Sequence, residues 1–120
     1  NAAEVTVARY STVQPAPSLA QRDPLAAPVV SVLPASVTRI GEAVETLLGP
    51  SGYRLASPLA AEAEWAELLD LPLPEAHRTF GPLPLRTALK ILAGPMFTLV
   101  EDPVHRLISF ERCEQATGVR

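Results

Sequence analysis

Two histidines, one cysteine and a scatter of carboxylates are the residues of this 120-residue chain that could do chemistry. The spacing of His77 and His105 matches no short metal signature, and each stands beside an arginine, Arg78 or Arg106, whose charge opposes a bound cation. Both read as surface or structural histidines. Glu101-Asp102 is an acidic pair, but general acid–base work needs two carboxylates facing across a cleft, and neighbours at a strand end point apart. Asp102 therefore reads as the capping residue of a solvated turn. Glu62, Glu64 and Glu67 around Trp65 read as the wet face of a helix. Cys113 would act as a nucleophile only if a histidine reached it in space, and it reads as a passive thiol. A single cysteine permits no internal disulfide and no thiolate-built metal site. No serine stands in a G-x-S-x-G elbow, and Gly49-Pro50-Ser51-Gly52 lacks the lysine of a phosphate loop. The expectation is a protein that is not an enzyme, with no catalytic, cofactor-binding or metal-binding residues and no small-molecule substrate.

The elements that position these residues are organised around a repeat. In LRTALKILAGPMFTL, from Leu85 to Leu99, the residues Leu85, Ala88, Leu89, Leu92 and Ala93 fall at i, i+3, i+4, i+7 and i+8, the stripe of an amphipathic helix. Gly94-Pro95 ends that helix, glycine suiting a left-handed cap and proline being unable to continue the turn. A β-prone run, Phe97 to Val100, follows. IGEAVETLLGPSGYRL repeats the pattern from position 40: Ile40, Ala43, Val44, Leu47 and Leu48, then Gly49-Pro50, then Tyr53-Arg54-Leu55 against Phe97-Thr98-Leu99. One helix–strand unit cannot bury its apolar face alone, so the pair implies one domain built from two related units.

Taken in order, Glu4 to Val13 alternates as a strand and Gln14 to Pro28 is a Pro-rich connector. Val29 to Leu33 is a short, mostly buried strand closed by Pro34. Ser36 or Thr38 is the expected cap of the first repeat helix, in which Gly41 implies a close approach of another backbone. Ser57-Pro58 opens a linking helix, Leu59 to Leu69. Ala76 to Phe80 is read as a strand, and Pro82 and Pro84 as a straight lead into the second helix. Phe97–Glu101 and Arg106–Arg112 form a hairpin with Asp102 at the first turn position and Pro103 at the second. The fold class is α+β: two β-α-β units, the second with a C-terminal hairpin, joined by a short helix, with small split sheets packed on two helices. The domain boundaries are 1–28 for the N-terminal strand and connector, 29–112 for the single domain and 113–120 for a polar tail.

Composition narrows the partners. With net charge −3, scattered cations and 5% aromatics, the chain has neither a basic face for phosphates nor platforms for stacked bases, which excludes nucleic acid. No apolar run approaches the ~20 residues of a membrane helix. The chain opens on Asn1 without a starting methionine, as a processed or excised piece would.

The strings IGEAVETLLGPSGYRL and LPEAHRTFGPLPLRTALKILAGPMFTLVEDPVHRLISFE, with YSTVQ and QRDPL upstream, resemble the N-terminal region of PilL proteins over roughly Val7 to Glu111. The most specific parts are Ser51 to Leu55, Leu73-Pro74-x-x-His77-Arg78 with Gly81-Pro82, and Leu92 to Pro95. More distantly, the two-unit pattern is similar to the small periplasmic domains at the N-terminus of secretins and TonB-dependent receptors. The resemblance implies a periplasmic, non-enzymatic part of a type IV pilus in an integrating conjugative element, associated with the outer-membrane secretin or other assembly proteins. It also implies outer-membrane anchoring through an N-terminal cysteine, which this chain lacks and which is expected in a missing N-terminal segment. The residues expected to contact a partner are Val5, Val7, Tyr10, Val13, Val30 and Val32, because strands of small split sheets leave edges open to another strand. A second reading is a cell-wall module whose Tyr10, Tyr53 and Trp65 stack on peptidoglycan sugars.

Overall fold

The computed structural model of the protein describes residues 22–113. The expected strand from Glu4 to Val13 and most of the connector lie outside the described residues, as do 114–120. The elements are β1 (Pro28–Val32), α1 (Ile40–Leu48), β2 (Arg54–Leu55), α2 (Ala63–Asp70), β3 (Thr79–Pro84), α3 (Leu85–Ala93), β4 (Phe97–Asp102) and β5 (Leu107–Arg112). The fold is α+β, with one sheet of two strands and one of three packed with the helices.

The two units interlock rather than standing side by side. Their first strands pair with each other, β1 antiparallel to β3, with two residues of β3, Gly81 and Pro82, opposite Val30. Their second strands meet in the other sheet, in the order β2-β5-β4, where β2 runs parallel and β4 antiparallel to β5. The stripes of α1 and α3 supply half of the buried core: Ile40, Ala43, Val44, Leu47 and Leu48 from one helix, Leu85, Ala88, Leu89, Leu92 and Ala93 from the other. Ile108 and Phe110 cover them from β5, Phe80 from β3 and Leu25 from the start of the described chain. The packed body thus takes in residues upstream of position 29, because Leu25 is fully buried and Asp23 is ion-paired to Arg86 on α3.

Several local expectations change. The first helix is capped neither by Ser36 nor by Thr38 as acceptor. Arg39 is the N-cap, and the Glu42 carboxylate reaches back to accept from the backbone N–H of Thr38 at 2.8 Å and of Arg39 at 3.3 Å. These bonds hold the Glu42 carboxyl below its ordinary pKa. Gly49 is right-handed (φ −44°), and the chain runs on through a 3₁₀ turn, Gly49–Ser51, before Gly52 takes φ +83°. In the second unit Gly94 itself takes φ +79°, as expected of a helix stop. The linking helix starts later than Ser57-Pro58: a 3₁₀ turn, Ala60–Glu62, precedes α2, and Glu62 accepts from Leu59 N–H at 2.9 Å. This helix is also more than a linker. Trp65 and Leu68 are buried, the Trp65 ring lies 6.3 Å from that of Phe110, and Glu62 satisfies the indole N–H at 3.2 Å. Gly41 meets Leu69 of α2, and a Cβ there would stand 3.2 Å from the Leu69 carbonyl oxygen, which is the close backbone approach its place in a helix implied.

The strand expected at Ala76 to Phe80 is shifted. Glu75–His77 is a 3₁₀ turn and β3 begins at Thr79, so Pro82 and Pro84 lie inside the strand. Prolines are tolerated there because, among the described residues, β3 is paired on one side only. The hairpin forms as expected, with its bounds moved by one residue: Asp102 pairs with Leu107 at the end of β4, its Oδ1 accepts the His105 N–H at 3.1 Å across the turn, and Arg106, expected in the strand, takes the left-handed conformation (φ +56°) that returns the chain into β5.

Candidate functional site

The residues with chemical potential are not gathered into one place. Glu101 and Asp102 do point apart: Glu101 pairs with Arg86, while Asp102 pairs with the ring of His105 at 2.9 Å. That hydrogen bond lowers the Asp102 carboxyl from its ordinary pKa. His77 ends a 3₁₀ turn with its Nδ1 buried and without a hydrogen-bond partner among the described residues. Cys113 is half-buried beside the Thr98 hydroxyl, its sulfur 3.3 Å from Oγ1. Among the described residues no group of three His, Cys, Asp or Glu side chains lies close enough to hold a metal ion.

Arg86 is the most heavily engaged charge. Its guanidinium takes the Glu101 carboxylate through Nε and Nη2, and Nη2 also donates to both oxygens of Asp23 at 2.9 and 3.1 Å. The arrangement fastens the segment before β1 to α3 and β4 and holds the Asp23 carboxyl below its usual pKa. Sequence reasoning passed over it, since an arginine between two apolar stripe positions looks like any solvated residue. Its partners are distant in sequence, and only the fold brings them together.

The expected partner-contact residues divide by location. Val5, Val7, Tyr10 and Val13 lie outside the described residues. Val30 and Val32 are on β1 and are 77% and 74% exposed, against the half-buried Val29 and Ser31 on the other face. Leu85 N–H donates to Ala27 C=O at one end of the β1–β3 ladder and Leu33 N–H to Arg78 C=O at the other. The alternation of an antiparallel ladder therefore turns the backbone groups of Val30 and Val32 away from β3. A groove beside β1 is lined by Val29 and Val30, by Thr46, Leu47 and Pro50 at the end of α1, and by Leu85.

Among the described residues other strands are also unpaired on one side, and each carries a device that discourages strand addition. β2 is two residues long and bears Arg54. β3 has Pro82 and Pro84, which have no N–H to offer. β4 carries Glu101 and Asp102, and Lys90 lines the groove beside it. β1, Pro28-Val29-Val30-Ser31-Val32, has no charge, no central proline and no covering strand among the described residues.

The rings of the sugar-stacking reading are placed elsewhere. Tyr53 and Trp65 are 6% and 4% exposed, in the core, and Tyr10 is outside the described residues. Rings buried in this way present no platform to a glycan, so Tyr53 and Trp65 do not supply the stacking surface. No helix among the described residues is long and apolar enough to cross a membrane. Comparisons of the chain with protein-family models, with curated proteins and with solved structures find no match.

Proposed function

We propose that this chain is a non-enzymatic, periplasmic protein-interaction module of a type IV pilus assembly machinery of the conjugative kind, and that it takes an extended segment of a partner as an added strand on β1. The partner proposed is the periplasmic region of the outer-membrane secretin. The observation that carries the binding mode is the edge of β1, uncovered among the described residues: Val30 and Val32 are exposed at 77% and 74%, their backbone groups turn away from β3, and the strand has no charge and no proline past its first residue. The pathway rests on the resemblance of the two repeat strings to PilL proteins. The test is an NMR titration of the full chain with the cognate secretin's periplasmic region. Shifts concentrated at Val30, Val32 and the Thr46–Ser51 turn are expected, and no shift at high micromolar concentration would overturn the reading.

A further inference from the structure

The edge strand has a symmetry that partner binding alone does not require. Read outward from Ser31, the sequence pairs Val30 with Val32, Val29 with Leu33 and Pro28 with Pro34, so the chemistry is the same in both directions. Antiparallel pairing of a strand with its own copy sets residue i against residue j and j against i, and in this sequence that sets valine against valine and proline against proline. We propose that β1 pairs with β1 of a second copy about a two-fold axis through Ser31, fusing the two-stranded sheets into one of four strands; this rests on the reading that the β1 edge accepts a strand.

The ladder supports that register. Val30 and Val32 hold the N–H and C=O groups turned away from β3. With the axis at Ser31, Val30 of one copy and Val32 of the other become a hydrogen-bonded pair on each side of the axis. Every N–H that the edge leaves free is then satisfied. On the outer face the exposed Val30 and Val32 side chains become cross-strand neighbours, an arrangement β-branched residues favour. The Ser31 residues meet at the axis, and Pro28 against Pro34 closes the ladder at both ends. In this register a charge at 30 would face position 32 of the copy and a charge at 31 would face itself; Pro28 to Pro34 contains none. Five residues of edge bury less than a stable dimer needs, which makes the association weak and concentration-dependent. It uses the same backbone groups as an incoming partner strand, so the two would compete.

Sedimentation velocity of the full chain from low micromolar to near-millimolar concentration tests this, with three sequences compared. Val30 and Val32 are exposed, so replacing them leaves the core intact, which near-ultraviolet dichroism of Trp65 checks. The wild type is expected to pass from monomer to dimer. In Val30→Lys/Val32→Lys two lysine pairs face each other across the axis, and dimerisation should weaken by about tenfold or more. In Val30→Lys/Val32→Glu the same positions become two opposite-charge pairs, and dimerisation should return. A wild type that stays monomeric throughout, a dimer indifferent to the double lysine, or a Lys/Glu variant as weak as the double lysine would each overturn the proposal. The secretin titration separates the two readings: a monomer that still shifts at Val30 and Val32 when the partner is added sinks the self-pairing and leaves the partner reading standing.

Discussion

Helices α1 and α3 carry the same apolar stripe and bury all of it, yet they differ at the positions off the stripe. At the second position α1 has Gly41, which lets the Leu69 backbone of α2 come close; α3 has Arg86, which reaches out to Asp23 and Glu101. At the end α1 runs through right-handed Gly49 into a 3₁₀ turn and a strand of two residues, whereas α3 stops at left-handed Gly94 and delivers a strand of six. At the start α1 is closed by its own Glu42, and α3 by a bond from Leu85 N–H to Ala27 C=O beside β1. The stripe decides what is buried. The residues beside it decide which neighbour each helix takes, and so why two similar units give unequal sheets.

The strongest way to break the comparison is to cut equal holes in the two helices. Leu48 and Leu89 are 1% and 0% exposed, and Leu48→Ala and Leu89→Ala should each cost about 2–5 kcal/mol. Because both stripes share one core, each variant is expected to keep a single cooperative transition in urea, detected alike by Trp65 fluorescence and by far-ultraviolet dichroism. Two separate transitions would show that the units are independent.

The helix stops come next. Gly94 combines φ +79° with ψ 175°, a region essentially reserved for glycine, so Gly94→Ala should cost about 1–3 kcal/mol. Gly49 has φ −44° and no residue beyond its chain neighbours within 4 Å of an added Cβ, so Gly49→Ala should cost less than Gly94→Ala, the cost being that of a right-handed alanine before Pro50. Equal losses at the two sites in denaturant titrations would contradict the different endings.

These same glycines show what was legible in the sequence. The stripes, the two units and the hairpin could be read because each depends on local periodicity or turn chemistry, and Asp102 acting across the turn to His105 is a short-range contact. The shared Gly-Pro suggested identical stops, but the extra residue after Pro50 shifts the left-handed turn to Gly52, and a backbone angle of this kind depends on where the following strand must go. Pro82 and Pro84 argued against a strand by propensity, and the one-sided pairing of β3 overrode it. Of the candidate site, Val30 and Val32 could be marked as edge residues, but the apolar run Val29–Leu33 reads as mostly buried, and the 77% and 74% exposure of the two valines corrects that reading. That the other edges are blunted, and that the end of α1 walls a groove beside β1, required the strand order and the interlocking of the units.

The second-position difference gives a smaller and pH-dependent effect. Arg86→Met removes a half-exposed ionic cluster and should cost about 1–2 kcal/mol at neutral pH. Arg86 holds the folded-state pKa of Asp23 below its unfolded value, so that share of stability is present above the ordinary carboxylate pKa of about 4 and is lost as pH falls through the folded value. The gap in melting temperature between wild type and variant should therefore narrow on acidification. A gap that stays constant down to pH about 3 would assign the loss to packing of the arginine stem instead.

The smallest effect, at the helix starts, separates a hydrogen bond from a dipole. Glu42 is at the third position of α1 and accepts from the N–H of Thr38 and of Arg39, the N-cap residue. Its carboxyl is held below the ordinary value, so its contribution is full at neutral pH and is lost as acid protonates it. Glu42→Gln keeps the reach with a weaker acceptor and should lower the melting temperature slightly, the difference disappearing in acid. Thr87 occupies the matching position in α3, but the N-cap there is Pro84, which has no N–H to donate. A glutamate at 87 would feel the positive end of the helix dipole without the capping bond. Thr87→Glu should therefore raise the melting temperature by less than Glu42→Gln lowers it. Equal and opposite shifts would mean that charge near the helix start, common to both units, accounts for the whole of the Glu42 effect.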